Sequence, residues 1–254
     1  MGSLLRKWRE RRRLSQLDLA TDAEISTRHL SFLETGRSQP SREMVLRLAE
    51  QLDVPMRERN TLLLAAGYAP AYPERSFEDP ALQSARKAVD LVLAGHEPYP
   101  AIAIDRHWTL IAYNKAIPPL MAGADPALLQ PPINVLRLSL HPEGVSPRIA
   151  NLAQWRSHLL ARLRRQIELT ADPILEELLK ELSGYPVPGA GEGGENEDYA
   201  GVVVPFQFVT EQGVLSFIST TTIFGTPVDI TLSELAVESF FPADAATAAA
   251  LRGR

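Results

Sequence analysis

"ISTRHLSFLETGRSQPS", Ile25–Ser41, decides how the N-terminal part of this 254-residue chain is read. On a helix turning about 100° per residue, Thr27 to Glu34 brings Leu30 and Leu33 together as a buried stripe. Arg28, Ser31 and Phe32 fall on the opposite side, with Thr27 at its edge. A phenylalanine beside an arginine is unusual on a solvated face. A short surface helix with one stray aromatic would also fit, since single exposed apolar residues are common. The flanking segments decide between the two.

Before this stretch, Leu4, Leu5 and Trp8 give a first helix its apolar side. Ser15 is placed to cap a second helix, with Asp18 three residues on as its capping-box partner, and Ser26 to cap the third. Gly36 suits the position just past the third helix. Val45, Leu48, Ala49 and Leu52 stripe a fourth helix, and Pro55 opens a fifth that ends at Gly67. Residues 1–67 therefore predict a compact all-α domain of five short helices. Residues 68–80, "YAPAYPERSFEDP", hold three prolines without periodicity and read as a linker.

The register of these positions resembles the lambda-repressor-like (XRE) helix-turn-helix family. Gln16 opens the second helix, Ala20 makes the close helix contact, Ile25 lies in the turn, and Glu34-x-Gly36 follows the recognition helix. One departure is Glu24, where the family often has glycine. The resemblance implies that the third helix enters the major groove of double-stranded operator DNA. Arg28 would then reach guanine O6 and N7, Thr27 and Ser31 a base or phosphate, and Phe32 a thymine methyl. Ser26, His29 and Arg37 complete the expected DNA-binding set, with Gln16 resembling the family's phosphate clamp. Glu34 is expected to be structural, a carboxylate at the buried edge that holds the loop.

The charge supports two jobs for the chain. Its formal net charge is −5, yet residues 1–59 hold twelve Lys or Arg against nine Asp or Glu. Arg6, Lys7, Arg9, Arg11, Arg12 and Arg13 face only Glu10 in the first thirteen positions. No cysteine is present, so disulfides, cysteine nucleophiles and thiolate metal sites are excluded. "MGSLLRKWRERRR" lacks the apolar core of a signal peptide and no apolar run approaches a bilayer's width, so a cytoplasmic protein without a membrane partner is expected.

Residues 81–254 predict an α+β domain. "ALQSARKAVDLVLAG" reads as a helix, and "PAIAID" and "TLIAYN" as strands joined by Arg106-His107-Trp108. A helical stretch runs from Ser146-Pro147 to about Leu182, broken near Pro173. "VVVPFQFV" and "VLSFISTTTIF" flank a Glu211-Gln212-Gly213 turn as a hairpin, and "LAVESFFP" is a last strand. Strands at both ends with helices between imply an antiparallel sheet.

Two chemical readings of this region are weak. "GAGEGG", Gly189–Gly194, has glycine spacing compatible with a nucleotide loop, but it follows prolines rather than a strand and precedes the acidic "ENEDY". A hydrolytic site from Asp105, His107, His141 or His158 with a serine lacks any G-x-S-x-G elbow or H-E-x-x-H motif. No catalytic residue, metal or cofactor is expected.

"PYPAIAIDRHWTLIAYNKA" is similar to a PAS-type opening. With "NVLRLSLHPEG", "IANLAQWRSHLL" and "TPVDITLSELAVESFFPAD" it resembles the MmyB-like ligand-binding domain found behind XRE units in bacteria. The resemblance implies a PAS-like effector domain that takes fatty acids or other long apolar molecules. Candidate lining residues are Ile102, Ile104, Trp108, Leu110, Val135, Leu138, Trp155, Leu159, Phe206, Phe208 and Phe217, each equally at home in an ordinary core. An acidic ligand would need a cation, because a buried unpaired charge is costly. Arg148 or His141 is the expected partner, with Arg156 nearby. The expectation is thus a homodimeric bacterial one-component regulator. Its rivals are a hydrolase or acyl-transfer enzyme whose helical domain binds a partner protein, and an antitoxin-like partner of a toxin.

Overall fold

Helix caps set the N-terminal unit. In the computed structural model, which describes residues 1–186, 204–211, 213–225, 227 and 229–252, Ser15 and Asp18 form a reciprocal capping box at the start of α2 (Gln16–Asp22). Ser26 Oγ accepts from His29 N–H at 3.1 Å and caps α3 (Thr27–Glu34). Ser41 does the same for α4 (Arg42–Gln51). With α1 (Gly2–Arg11) and α5 (Met56–Ala65) these are the five expected helices, and their buried stripes include Leu5, Trp8, Leu19, Leu30, Leu33, Leu48 and Leu62. The turn from α2 to α3 is made without glycine: Glu24 takes a φ of 55°, and Ile25 N–H returns to Ala20 C=O at 2.9 Å.

The chain divides into two compact units, Met1–Arg75 with Thr226–Ser233, and Ser76–Gly225 with Glu234–Arg254. The division falls inside the stretch expected as a linker. Residues just past α5 fold back on their own unit: Tyr68 donates its hydroxyl to Pro40 C=O at 2.8 Å, and Asn60 Oδ1 accepts from Ala71 and Tyr72 N–H. The later segment joins the same unit through a buried Asp229, which accepts from Arg75 at 2.8 Å just ahead of the short α11 (Ile230–Ser233).

The second unit is built on a five-stranded antiparallel sheet. In chain order it contains α6 (Gln83–Gly95), β1 (Ala101–Ile104), β2 (Leu110–Tyr113), α7 (Pro118–Met121), α8 (Val135–Leu140), α9 (Leu152–Thr170), α10 (Pro173–Ser183), β3 (Phe206–Thr210), β4 (Gly213–Ile223), β5 (Ala236–Pro242) and α12 (Ala245–Arg252). The order across the sheet is β2-β1-β5-β4-β3, so the strand latest in sequence is central in space. The helical stretch after Pro147 breaks at Ala171, which has a φ of 59°, and restarts where Asp172 caps α10. The glycine-rich Gly189–Gly194 lies outside the described residues, as do parts of the expected hairpin.

Alternation along the strands sorts the core onto two faces. Ala101, Ala103 and Val237 pack with Val89 and Leu93 of α6 on one side. Ile102, Ile104, Phe206, Phe208 and Phe217 turn to the other, toward Trp155, Leu159 and Leu163 of α9 and Leu136 and Leu138 of α8. That second face carries the cavity described below. No helix among the described residues is long and apolar enough to cross a membrane.

Candidate functional site

The exposed side of α3 is organised around Phe32. The Arg28 and Arg37 guanidinium carbons lie 5.4 and 5.9 Å from its ring centroid, so two cations flank one half-buried aromatic. Arg37 is brought there by the end of α3: Gly36 adopts a φ of 75°, and Arg37 N–H bonds Phe32 C=O at 2.8 Å. Arg28 is exposed, and Thr27, His29 and Ser31 are half-buried at its sides.

Behind this face lies a buried polar network that composition did not reveal. Glu34 is 7% exposed and accepts from Arg9 Nε at 2.7 Å, from Arg9 Nη2 at 3.0 Å and from Gln16 Nε2 at 2.8 Å. Burial alone would push the Glu34 carboxyl up; the hydrogen bonds from Arg9 and Gln16 with the Arg9 charge hold it below the usual value. Gln16 is therefore positioned by Glu34 at the N-terminus of α2. The basic run is partly internal: Arg9 also binds Leu14 C=O, Arg12 binds Leu52 and Asp53 C=O, and Arg6 pairs with Glu10.

In the second unit an apolar cavity of about 770 Å³ of empty space, part of it continuous with solvent, lies between the sheet and the helices. Ile102, Trp108, Leu110, Val135, Leu138, Trp155, Leu159, Phe206, Phe208 and Phe217 are all on its wall. Ile104 is buried in the same core without reaching the cavity. Residues unforeseen as lining are Ile117, Leu120, Met121, Leu136, Ser139, Val145, Glu238 and Phe240. Apart from Ser139 and Glu238, every one of these is apolar.

The two cations expected to meet a ligand are placed elsewhere. Arg148 donates Nη2–H to Leu120 C=O at 2.6 Å and lies 4.6 Å from the Phe208 ring centroid, backing two wall residues without joining the wall. His141 accepts the Glu143 N–H on Nδ1 and packs edge-on against Tyr185. Arg156 donates Nη2–H to Ser183 C=O at 2.7 Å. A further cation, Arg162, ion-pairs with the wall residue Glu238 and lies 4.6 Å from the Trp108 ring centroid.

Trp108 enters the wall because its turn is clamped from both sides. Asp105 Oδ1 accepts from the N–H of His107 and of Thr109, and Trp108 takes a φ of 65°. Gln166 of α9 then accepts Trp108 Nε1–H at 2.8 Å and donates to Arg106 C=O at 2.7 Å. His107 Nε2 lies 2.9 Å from Asp172 Oδ2. Burial would raise the Asp172 carboxyl, but hydrogen bonds from His107 and the Ile174 N–H, with the Arg106 charge, lower it. Asp105 and His107 are thus joined in a turn. Among the described residues no histidine nitrogen meets a serine or threonine hydroxyl, and no cluster of three metal-ligating side chains occurs.

The sequence profile of the MmyB-like transcription regulator ligand binding domain matches residues 85–253, and a helix-turn-helix profile matches residues 5–59. A protein of Methanoculleus marisnigri, provisionally described as an HTH-type transcriptional regulatory protein, is 33% identical over 118 residues, 44% of this chain. The chain spans 38% of that relative's length.

Proposed function

Because this chain belongs to the family defined by the MmyB-like transcription regulator ligand binding domain, here behind a helix-turn-helix, we propose that it is a one-component transcription regulator whose second unit takes a long apolar effector. The cavity carries this reading. A wall of aliphatic and aromatic side chains with two polar members among the described residues suits a chain-like apolar molecule. The antiparallel sheet with helices over the cavity face is the arrangement a PAS-like sensor would use.

In the first unit, Arg28 and Phe32 supply base contacts, Gln16 and Arg37 phosphate contacts, and Thr27, Ser31, Ser26 and His29 the flanks of that footprint. Two copies related by a two-fold axis would read two half-sites about one helical turn apart, and a cytoplasmic location follows from that task. Ligand must favour one conformational state over another, otherwise DNA affinity is unchanged. Membership of a regulator family across both units speaks against the hydrolase alternative.

Native mass spectrometry of the purified chain, followed by denaturing extraction, tests the reading. A co-purified long-chain molecule whose removal changes salt-sensitive DNA binding is the expected result. An empty cavity that takes up no long-chain compound, or turnover of an ester or thioester without DNA binding, would overturn it.

A further inference from the structure

Among the described residues on the cavity wall, the charged one is an acid, Glu238. Resting on the reading of this cavity as the effector site, we infer that the effector's polar end is a hydrogen-bond donor, an alcohol or an ammonium, received by Glu238, and is not a carboxylate. Glu238 stands in the central strand, opposite Ile102 of β1 on one side and Thr221 of β4 on the other. It is 4% exposed, and a side chain in the middle of a sheet cannot swing out to solvent.

Its two oxygens are in different situations. Oε1 pairs with Arg162 Nη1 and accepts the Thr221 hydroxyl at 3.2 Å, while Arg162 Nη2 donates to Thr221 Oγ1 at 2.8 Å. Oε2 has no hydrogen-bond partner among the described residues. It is not sealed off either, since among the described residues the fully enclosed side-chain atom left without a partner is Arg156 Nε. A buried carboxylate oxygen without a donor is destabilising, and a ligand that brings one relieves that.

A carboxylate ligand meets the opposite situation. Its charge would lie beside that of Glu238 in a poorly screened space. To be neutralised it would have to take Arg162 from Glu238, leaving Glu238 buried and unpaired. Ser139, which accepts Trp155 Nε1–H at 3.1 Å, offers a neutral hydroxyl that cannot balance a charge. His158, stacked on Trp155, is held toward its neutral form by burial and by the Arg162 charge. Arg148 and His141 are off the wall.

Isothermal titration calorimetry of the delipidated full-length chain with decan-1-ol, decylammonium and decanoate tests this, because the three share one chain and differ only at the end. The expected result is that decanoate binds about tenfold or more weaker than the better of the other two, the range of one charge-assisted hydrogen bond. Glu238→Gln should narrow the spread to about threefold or less. The wild-type comparison stands on its own if that variant folds poorly. Decanoate binding tightest to the wild-type chain would overturn the inference and leave the apolar-effector reading intact. Binding of none of the three would overturn both.

Discussion

Arg9 grips both carboxylate oxygens of Glu34, Nε to Oε1 at 2.7 Å and Nη2 to Oε2 at 3.0 Å, and so ties the first helix to the end of the third. Gln16 shares Oε2 from the second helix. Three helices therefore meet on one buried carboxylate directly behind the exposed face of α3.

Removing that charge should loosen the unit. Glu34→Gln leaves the Arg9 guanidinium buried without its counter-ion, a change that costs about 3 kcal/mol or more. Hydrogen exchange of peptides from α1 and α3, compared between variant and wild type, measures it. The pH dependence follows from the direction of the shift: the folded carboxyl lies below its ordinary 4.5. The folded state thus binds this proton less readily than the unfolded one, so the stabilisation is fully present above the ordinary value. It is lost as pH falls through the folded value, and the gap between variant and wild type should close there. A gap unchanged from neutral pH into strong acid would remove the carboxylate from this role.

The turn before α3 offers a gain. Glu24 holds a φ of 55° with its backbone N–H on Thr21 C=O, a conformation that costs an L-residue about 1 to 2 kcal/mol and glycine nothing. Glycine's greater freedom in the unfolded chain gives back about half of that. Glu24→Gly is expected to slow exchange across α2 and α3 by about 0.5 to 1 kcal/mol of protection. Faster exchange would show that the Glu24 side chain has a stabilising partner of its own.

On DNA, two substitutions should separate. Arg28 is exposed and held over Phe32, so Arg28→Ala is expected to lower discrimination at one base pair by about 1 to 3 kcal/mol. Gln16→Ala should weaken binding to all sequences alike and leave the salt slope unchanged, because a neutral amide releases no counterion. Electrophoretic mobility shifts on selected and random duplexes read both. Equal losses on both duplexes for both variants would defeat the division of roles.

Local signals in the sequence were legible, and pairings across the fold were not. Ser15, Ser26 and Gly36 announce helix ends because capping depends on residues three or four apart. Leu30, Leu33 and the apolar residues of the strands announce burial through their period. Arg9 lies in a basic run that looks like a DNA-facing surface, and nothing local distinguishes it from Arg11; its burial comes from Glu34, twenty-five positions away. Glu238 was missed as a wall residue for the same reason. "LAVESFFP" shows a strand, but that this strand is central, with Thr221 and Arg162 around its one acid, depends on contacts 17 positions and more away. Gln166 positions Trp108 from 58 residues on and left no trace in either segment.

The coupling between the two functions can be tested by filling the cavity. Met121, in the short α7, lines it and is half-buried, so a larger ring there can enter the empty space without displacing a fully packed neighbour. Met121→Trp is therefore expected to cost no more than the roughly 1 to 3 kcal/mol of a small-to-large change while abolishing uptake of long-chain molecules. An effector can shift an equilibrium only by its differential affinity for the two states, and in this variant that term vanishes. DNA affinity should then stop responding to added decan-1-ol or decylammonium, and should settle at the level of either the empty or the filled wild-type chain. Calorimetry for uptake and fluorescence anisotropy for DNA, run on the same preparation, give both readouts. DNA binding that still responds to either compound in a variant unable to take it up would place the effector outside this cavity.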